Sequence, residues 1–349
     1  MIVGIIGCGT IANSAHIPSY LNNKEVTIKY FCDIIEDRAA GAVQKYGCGK
    51  AVLDYHEVIN DPEVDAISVC VPNNMHAPIS IDAMRAGKHV LCEKPAARTY
   101  REALEMQKVQ HETGKTLIIG VVNRFNDSVN RIKALVDEGR LGEVYHVYVS
   151  FRAHRSIPGL GGAFTTKAIA GGGALIDWGV HYLDIVMYCL GDPKTVTVSG
   201  EAFSKLGRDI DGYVCKSMWA GPRTPGGTYD VDDSVTALVR TEGPVLTVHG
   251  AWAQNIGESE AYIDFMGDKG GIRLQYGGGF TLYTTENGAL VTYKPDFTMS
   301  NMFQNEIDAF VDSVKTGKKL PSHIDTVVVT AQMMQAIYDS SETHREIRL

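Results

Sequence analysis

Met1-Ile2-Val3-Gly4-Ile5-Ile6-Gly7-Cys8-Gly9-Thr10-Ile11-Ala12 opens the chain, and its reading decides the fold. The run Ile2–Ile6 is continuous rather than alternating, as in a strand buried on both faces of a parallel sheet. Gly7-x-Gly9-x-x-Ala12 then fits the turn that joins such a strand to a helix. The first glycine permits the tight turn, the second admits backbone close to a pyrophosphate, and the third small residue lets helix and strand pack closely. The helix N-terminus attracts phosphate. Glycine is 36 of 349 residues, so the pattern alone is weak; its place directly after a strand strengthens it. The next candidate strand, Val26–Cys32, ends at Asp33, about 20 residues after the glycines, where a carboxylate meets the adenosine ribose. An Asx turn at the strand end is the second reading of Asp33. A carboxylate there accepts from the 2′- and 3′-hydroxyls and repels a 2′-phosphate. Ile34 and Ile35 supply no cation, and Arg38 lies further on, so NAD is expected ahead of NADP. Gly7, Gly9, Thr10, Ile11, Asp33, Ile34 and Arg38 are the candidate cofactor residues of this end.

The same texture continues to residue 122. Ala66–Val71, His89–Cys92 and Leu117–Val122 read as further buried strands, alternating with helical stretches Ile11–Leu21, Glu36–Tyr46, Ala77–Ala86 and Tyr100–Glu112. Gly47, Gly87 and Gly114 follow three of these helices and fit left-handed C-termini. Strand–helix repetition predicts right-handed crossovers and a doubly wound α/β domain over residues 1–122. Residues 123–349 read differently. A helix is expected over Ser128–Glu138 and another at Ala331–Ser340 within about 325–342. The candidate strands are Val144–Arg152, Thr195–Phe203, Asp233–Arg240, Val245–Trp252 and Ala261–Phe265, with turn signals between them. This predicts an α+β domain on a large, mostly antiparallel open sheet. Residues 204–231 lack periodicity and read as a functional loop or an oligomer arm.

Composition bounds the function. Two domains are expected for 349 residues at about 150 each. Lys plus Arg is 33 against Asp plus Glu 41, a net charge of −8, which argues against nucleic acid or an anionic membrane as partner. No apolar stretch reaches the roughly 18 residues of a spanning helix, and the first residues show no signal-peptide pattern, so a cytoplasmic protein is expected. The seven cysteines include no C-x-x-C pair. Cys32, Cys70 and Cys92 lie in apolar runs and are expected to be reduced. No ligand clustering points to a metal.

Two clusters have the residue types for chemistry. Glu93-Lys94-Pro95 follows the fourth of these runs, at the carboxyl edge of the sheet where doubly wound folds bind ligands, and offers an ammonium to a substrate oxygen. The other cluster runs from Gly171 to Asp184. Read as a helix after the glycines, Asp177, His181 and Asp184 share one face, with Tyr188 further along. A carboxylate and an imidazole on one stripe are what proton transfer near neutral pH uses; a structural Asp–His pair is the other reading.

Together these pieces resemble the Gfo/Idh/MocA oxidoreductase family of inositol and sugar dehydrogenases. The matching residues are Gly7-x-Gly9-x-x-Ala12, Val71-Pro72-Asn73-Asn74-Met75-His76, Glu93-Lys94-Pro95, Asn123-Arg124-Phe125 and Asp177-x-x-x-His181. The resemblance implies an amino-terminal Rossmann domain, and an α/β domain whose open sheet makes an oligomer interface. It implies that Lys94 stabilises the developing alkoxide, that His181 is the acid/base, and that Asp177 binds substrate. Val71, Pro72, Asn73, His76, Glu93, Lys94 and Arg124 are implied on the cofactor side. Arg124, Arg152, His154 and Trp178 join Lys94, Asp177 and His181 as substrate-side candidates. Trp219, Trp252 and Tyr262 are further aromatics able to stack on a sugar face. The function implied is NAD-dependent oxidation of a secondary hydroxyl of a sugar, glycoside or cyclic polyol, or the reverse, by a homo-oligomer. Oxidation of an intact glycoside to its 3-keto form, NAD-assisted glycoside cleavage, and a non-catalytic nucleotide or sugar sensor are the alternatives.

Overall fold

The computed structural model describes all 349 residues and divides into two compact units, Met1–Phe125 with Ser300–Val328, and Asn126–Met299 with Val329–Leu349. In the first unit, strands β1 (Ile2–Ile6), β2 (Thr27–Cys32), β3 (Lys50–Val52), β4 (Ala66–Val69), β5 (His89–Glu93) and β6 (Leu117–Gly120) form one parallel sheet in the order β3-β2-β1-β4-β5-β6. Their order reverses direction beside β1, the arrangement that places ligands outside the carboxyl ends of the strands. Helices α1 (Ile17–Asn22), α2 (Glu36–Tyr46), α3 (Tyr55–Ile59), α4 (His76–Arg85) and α5 (Tyr100–Thr113) connect them. Gly47, Gly87 and Gly114 adopt positive φ as expected. The reading of the sequence omitted β3 and α3. Three residues at a sheet edge and a five-residue helix are too short to show a period.

A single division after residue 122 does not describe the units. The helix Met302–Thr316 buries Ile307, Phe310 and Val311 in the same core as Val3, Ile5 and Phe31 of the first sheet. Asn301 caps it by accepting from the N–H groups of Phe303 and Gln304. Beyond it, Ser322 O accepts from the Ile119 N–H at 2.9 Å, so the segment runs alongside β6. This helix was not among those expected from the sequence; the i, i+3, i+4 spacing of its buried residues marks a face but not the sheet that receives it.

The second unit is built on nine strands: β7 (Val144–Arg152), β8 (Thr195–Phe203), β9 (Ser234–Thr241), β10 (Val245–Ala251), β11 (Glu260–Gly267), β12 (Gly270–Gln275), β13 (Phe280–Glu286), β14 (Ala289–Tyr293) and β15 (Ile347–Arg348). Their order is β14-β13-β12-β11-β7-β10-β9-β8-β15, antiparallel except for the parallel β7–β10 pair. Alternation along β7 sends Val147, Val149 and Phe151 into the core with α6 (Asp127–Asp137), α8 (Val180–Leu190, which follows the one-turn α7, Lys167–Ala170) and the helix Ile324–Thr343. His146, Tyr148, Ser150 and Arg152 therefore belong to the other face. Strands β12–β14 were not among those expected: β12 and β13 send only Ile272, Leu274, Phe280 and Leu282 into the core, too few apolar positions on each to mark a period, and β14 is almost wholly exposed.

Candidate active site

In the first unit every sequence-predicted motif falls at the carboxyl end of a strand. Gly7, after β1, has φ +93°, and a Cβ there would stand 2.3 Å from the Cys70 carbonyl oxygen, so only glycine fits. Its N–H donates to Cys32 O at 2.8 Å. The Asn13 amide donates to Cys8 O at 2.9 Å and Gly9 O at 3.0 Å, tying back the loop carbonyls. Around Gly9 a Cβ would meet no atom within 4 Å. That open cradle, beside a helix start whose first N–H groups have no acceptor in the helix, fits the pyrophosphate of NAD. The turn after it, Ala12–His16, is a π-helical turn, not the regular α-helix expected, before α1 begins. Asp33 performs the Asx turn, with Oδ1 accepting from the Ile35 N–H at 2.9 Å, while Oδ2 accepts from the Cys8 N–H at 2.9 Å. Its carboxylate thus braces the glycine turn and retains lone pairs for ribose hydroxyls. Ile34 is 90% exposed beside it.

Glu93 ends β5 and the Lys94–Pro95 peptide is cis. Glu93 directs its carboxylate inward. Oε2 accepts from the Lys94 N–H at 3.0 Å, and Oε1 lies 2.8 Å from His16 Nε2. Burial opposes ionisation of Glu93, but the hydrogen bond and charge of His16, with those of Lys94, hold its carboxyl below the usual range. His76 bridges the two neighbouring loops, its Nδ1 2.7 Å from Pro95 O and its Nε2 2.9 Å from Val71 O. Burial lowers its proton affinity more than these carbonyls raise it. Asn73 opens the 3₁₀ turn Asn73–Met75. Arg124 is 2% exposed, and Nη1 donates to Pro321 O at 2.7 Å and Thr326 Oγ1 at 3.0 Å, so it anchors the late segment to this unit.

In the second unit Asp232 secures the glycine run. Its Oδ1 accepts from the Gly173 N–H at 2.7 Å and from Tyr338 OH at 2.8 Å, and Oδ2 from the Leu175 N–H at 2.9 Å. Leu175–Gly179 is again a π-helical turn, leading into α8, a form often found at functional positions. Asp177 Oδ2 accepts from the indole N–H of Trp252 at 3.2 Å. His181 is half-buried, with the Tyr276 ring at 6.3 Å. The expected single stripe divides: Asp184 is 1% exposed and buried, and Tyr188 donates to Asn130 on α6 at 2.7 Å. The wider turn shifts the register that a 3.6-residue period assumes.

The remaining candidates are placed as follows. Arg152 lies on the sheet face opposite α8 and pairs with Glu260, Nη2 to Oε1 at 2.5 Å, so it is not gathered with Asp177 and His181. His154 Nδ1 is buried with no hydrogen-bond partner. Trp178 packs between two apolar clusters. Trp252 is fully buried and Tyr262 lies under the Arg273 guanidinium, 4.2 Å from its ring centre, so neither presents a free stacking face. Residues 204–231 form no strand or helix. Asp233 Oδ2 accepts from the N–H groups of Lys205 and Leu206, and Tyr213 and Val231 are buried against Ile157, Leu160 and Trp252. Trp219 stays 53% exposed, edge-on to Phe164 at 5.1 Å. Reading the sequence missed His16, Asp232 and Trp252 as partners. His16 carried one signal, an ionisable residue within the apolar run Ala12, Ala15, Ile17 and Tyr20.

The glycine turn, Asp33 and the strand order define a dinucleotide-binding α/β unit. A model described as "Oxidoreductase family, NAD-binding Rossmann fold" matches residues 1–121, and a "GFO/IDH/MocA C-terminal domain" model matches residues 129–273. The D-glucoside 3-dehydrogenase of Escherichia coli is 31% identical, covering 99% of this chain and 97% of that protein. The myo-inositol 2-dehydrogenase of Thermotoga maritima is 26% identical, covering 91% and 89%. A solved levoglucosan dehydrogenase, in complex with NADH and levoglucosan, shares the fold at a TM-score of 0.85 and 21% identity, covering 100% and 99%. The chain belongs to the Gfo/Idh/MocA oxidoreductase family. It is an NAD-dependent oxidoreductase, which sets aside the non-catalytic sensor.

Proposed function

We propose that this enzyme oxidises a secondary hydroxyl of a sugar, with an intact glycoside as first choice and cyclic polyols as the neighbouring class, or reduces the corresponding ketone. The observation that carries the reading is Asp177, fixed by the fully buried Trp252, four residues before a half-buried imidazole. The end-to-end likeness to a D-glucoside 3-dehydrogenase supports the glycoside.

Bound NAD supplies the hydride acceptor. His181 takes the hydroxyl proton as the carbon–hydrogen bond is broken. The Lys94 ammonium stabilises the oxygen as negative charge develops. Asp177, held by Trp252, accepts a hydrogen bond from the substrate and fixes its pose. Asp33 receives the ribose hydroxyls, the cradle at Gly9 receives the pyrophosphate, and Val71, Pro72 and Asn73 border the nicotinamide. We also place the enzyme in the cytoplasm, a reading supported by seven unpaired cysteines. We place a second copy on the open sheet face, which displays Tyr148, His249 and Tyr262; sedimentation tests that assembly.

The test is absorbance of reduced cofactor with NAD, and separately NADP, across aryl glycosides, free pyranoses and inositols. NADH accumulating with glycosides supports the reading. Cleaved glycoside without net NADH would instead establish the NAD-assisted cleavage, and turnover confined to inositols would overturn the glycoside.

A further inference from the structure

Two carboxyls from opposite ends of the sequence are buried in the first unit, Glu93 at 7% and Glu306, on the helix Met302–Thr316, at 1% exposure. Glu93 faces two partners, while Glu306 Oε1 is buried with none. Two interacting carboxyls in one apolar interior do not both ionise, and the charge goes to the one with donors. Burial and the charge of Glu93 accordingly push Glu306 well above the usual carboxylate range.

Glu93 continues into a chain that reaches across the sheet. His16 Nδ1 lies 3.3 Å from Ser68 Oγ on β4, and Tyr20 OH lies 2.8 Å from the same oxygen. The other titratable groups around it are Cys70 after β4, His76 on α4, and Cys92 on β5. Burial raises the two thiols and the Tyr20 phenol, so none of these three adds a negative charge near neutral pH, and burial lowers the proton affinity of His76.

We propose that Glu93, oriented by His16, is the positioning residue for Lys94. Its Oε2 fixes the Lys94 backbone through the N–H group, and its charge is the counter-charge of the Lys94 ammonium. The inference rests on the assignment of Lys94 to the alkoxide.

The experiment is a cycle of Glu93→Gln, Lys94→Ala and the double variant, with His16→Gln and His16→Leu beside it. Glu93→Gln keeps an acceptor for the Lys94 N–H and removes only charge. It is expected to lower kcat about 30-fold, with KM for NAD within about threefold, and to displace the pH at which kcat is half-maximal. In the Lys94→Ala background the same change should cost less than about twofold, because a group acting through another shows no independent effect. His16→Leu should lose about tenfold and His16→Gln, which keeps a donor, should recover most of it. Equal losses from Glu93→Gln in both backgrounds, or an unchanged kcat and pH profile, would overturn the proposal. An unchanged kcat in Lys94→Ala would overturn the assignment of Lys94 instead. If near-ultraviolet circular dichroism shows Glu93→Gln misfolded, the two His16 variants decide by the same kcat and pH readouts.

Discussion

Gly7 and Gly9 stand two residues apart in one turn, yet substitution by alanine should harm them in opposite ways. At Gly7, φ of +93° costs an L-residue about 1–2 kcal/mol. The new methyl group would also lie 2.3 Å from Cys70 O, a backbone atom that must retreat roughly 1 Å to reach ordinary contact. Cys70 cannot retreat freely, since its N–H is held by Ile6 O at 2.7 Å. Overpacking of this kind costs about 1–3 kcal/mol, so Gly7→Ala should lose about 2–5 kcal/mol, a large part of an ordinary stability. Gly9 has open space on its Cβ side, so Gly9→Ala should fold normally and fill the cradle proposed for the pyrophosphate. Its expected cost is at least tenfold in NAD affinity, about 1.4 kcal/mol. Differential scanning calorimetry and NAD titration calorimetry on both variants read the two effects. A Gly7→Ala protein melting within about 1 °C of wild type would refute the packing argument, since about 2 kcal/mol moves a large domain several degrees. A Gly9→Ala protein with unchanged NAD affinity would refute the cradle.

Lys94→Ala should lower kcat by about 100- to 1000-fold, matching roughly 2.7–4 kcal/mol for one oxyanion donor, while NAD affinity measured by fluorescence stays within threefold. His181→Ala should abolish the limb of the kcat profile that titrates the acid/base, and a retained limb near neutrality would assign that role elsewhere. Trp252→Phe preserves a buried ring but removes the donor to Asp177, so kcat/KM should fall about tenfold, the value of one hydrogen bond to a charged group. Asp325 is opposed by burial but held below the usual carboxylate range by Lys319, Gln107 and His111. Because its folded-state proton affinity is depressed, its stabilisation is complete above the unfolded value of about 4 and fades as pH falls through and below it. Denaturant titrations should therefore show Asp325→Asn weaker than wild type at pH 7, with the gap narrowing steadily as pH falls from about 4 to about 2.

The sequence by itself determined five of the six strands of the first sheet, the glycine turn and the second-domain strands β7 and β8, whose bounds it matched residue for residue. Continuous apolar runs and glycines at fixed offsets are local signals, and local signals survive in one dimension. It also placed Lys94 at a strand end and Asp177 and His181 at one turn spacing. Only the tertiary structure decided which of the remaining polar residues serve those groups. Arg152 pairs with Glu260 because strand alternation sends it to the face opposite α8. Trp252 meets Asp177 across 75 residues of chain, and Glu306 enters the first unit from beyond β14, after all but the last strand of the second sheet. Those partnerships are set by burial, where an unmet donor or acceptor is costly and must find whatever partner the fold brings within reach. Which partner a buried group meets is a property of the packed chain, so no spacing along the sequence encodes it.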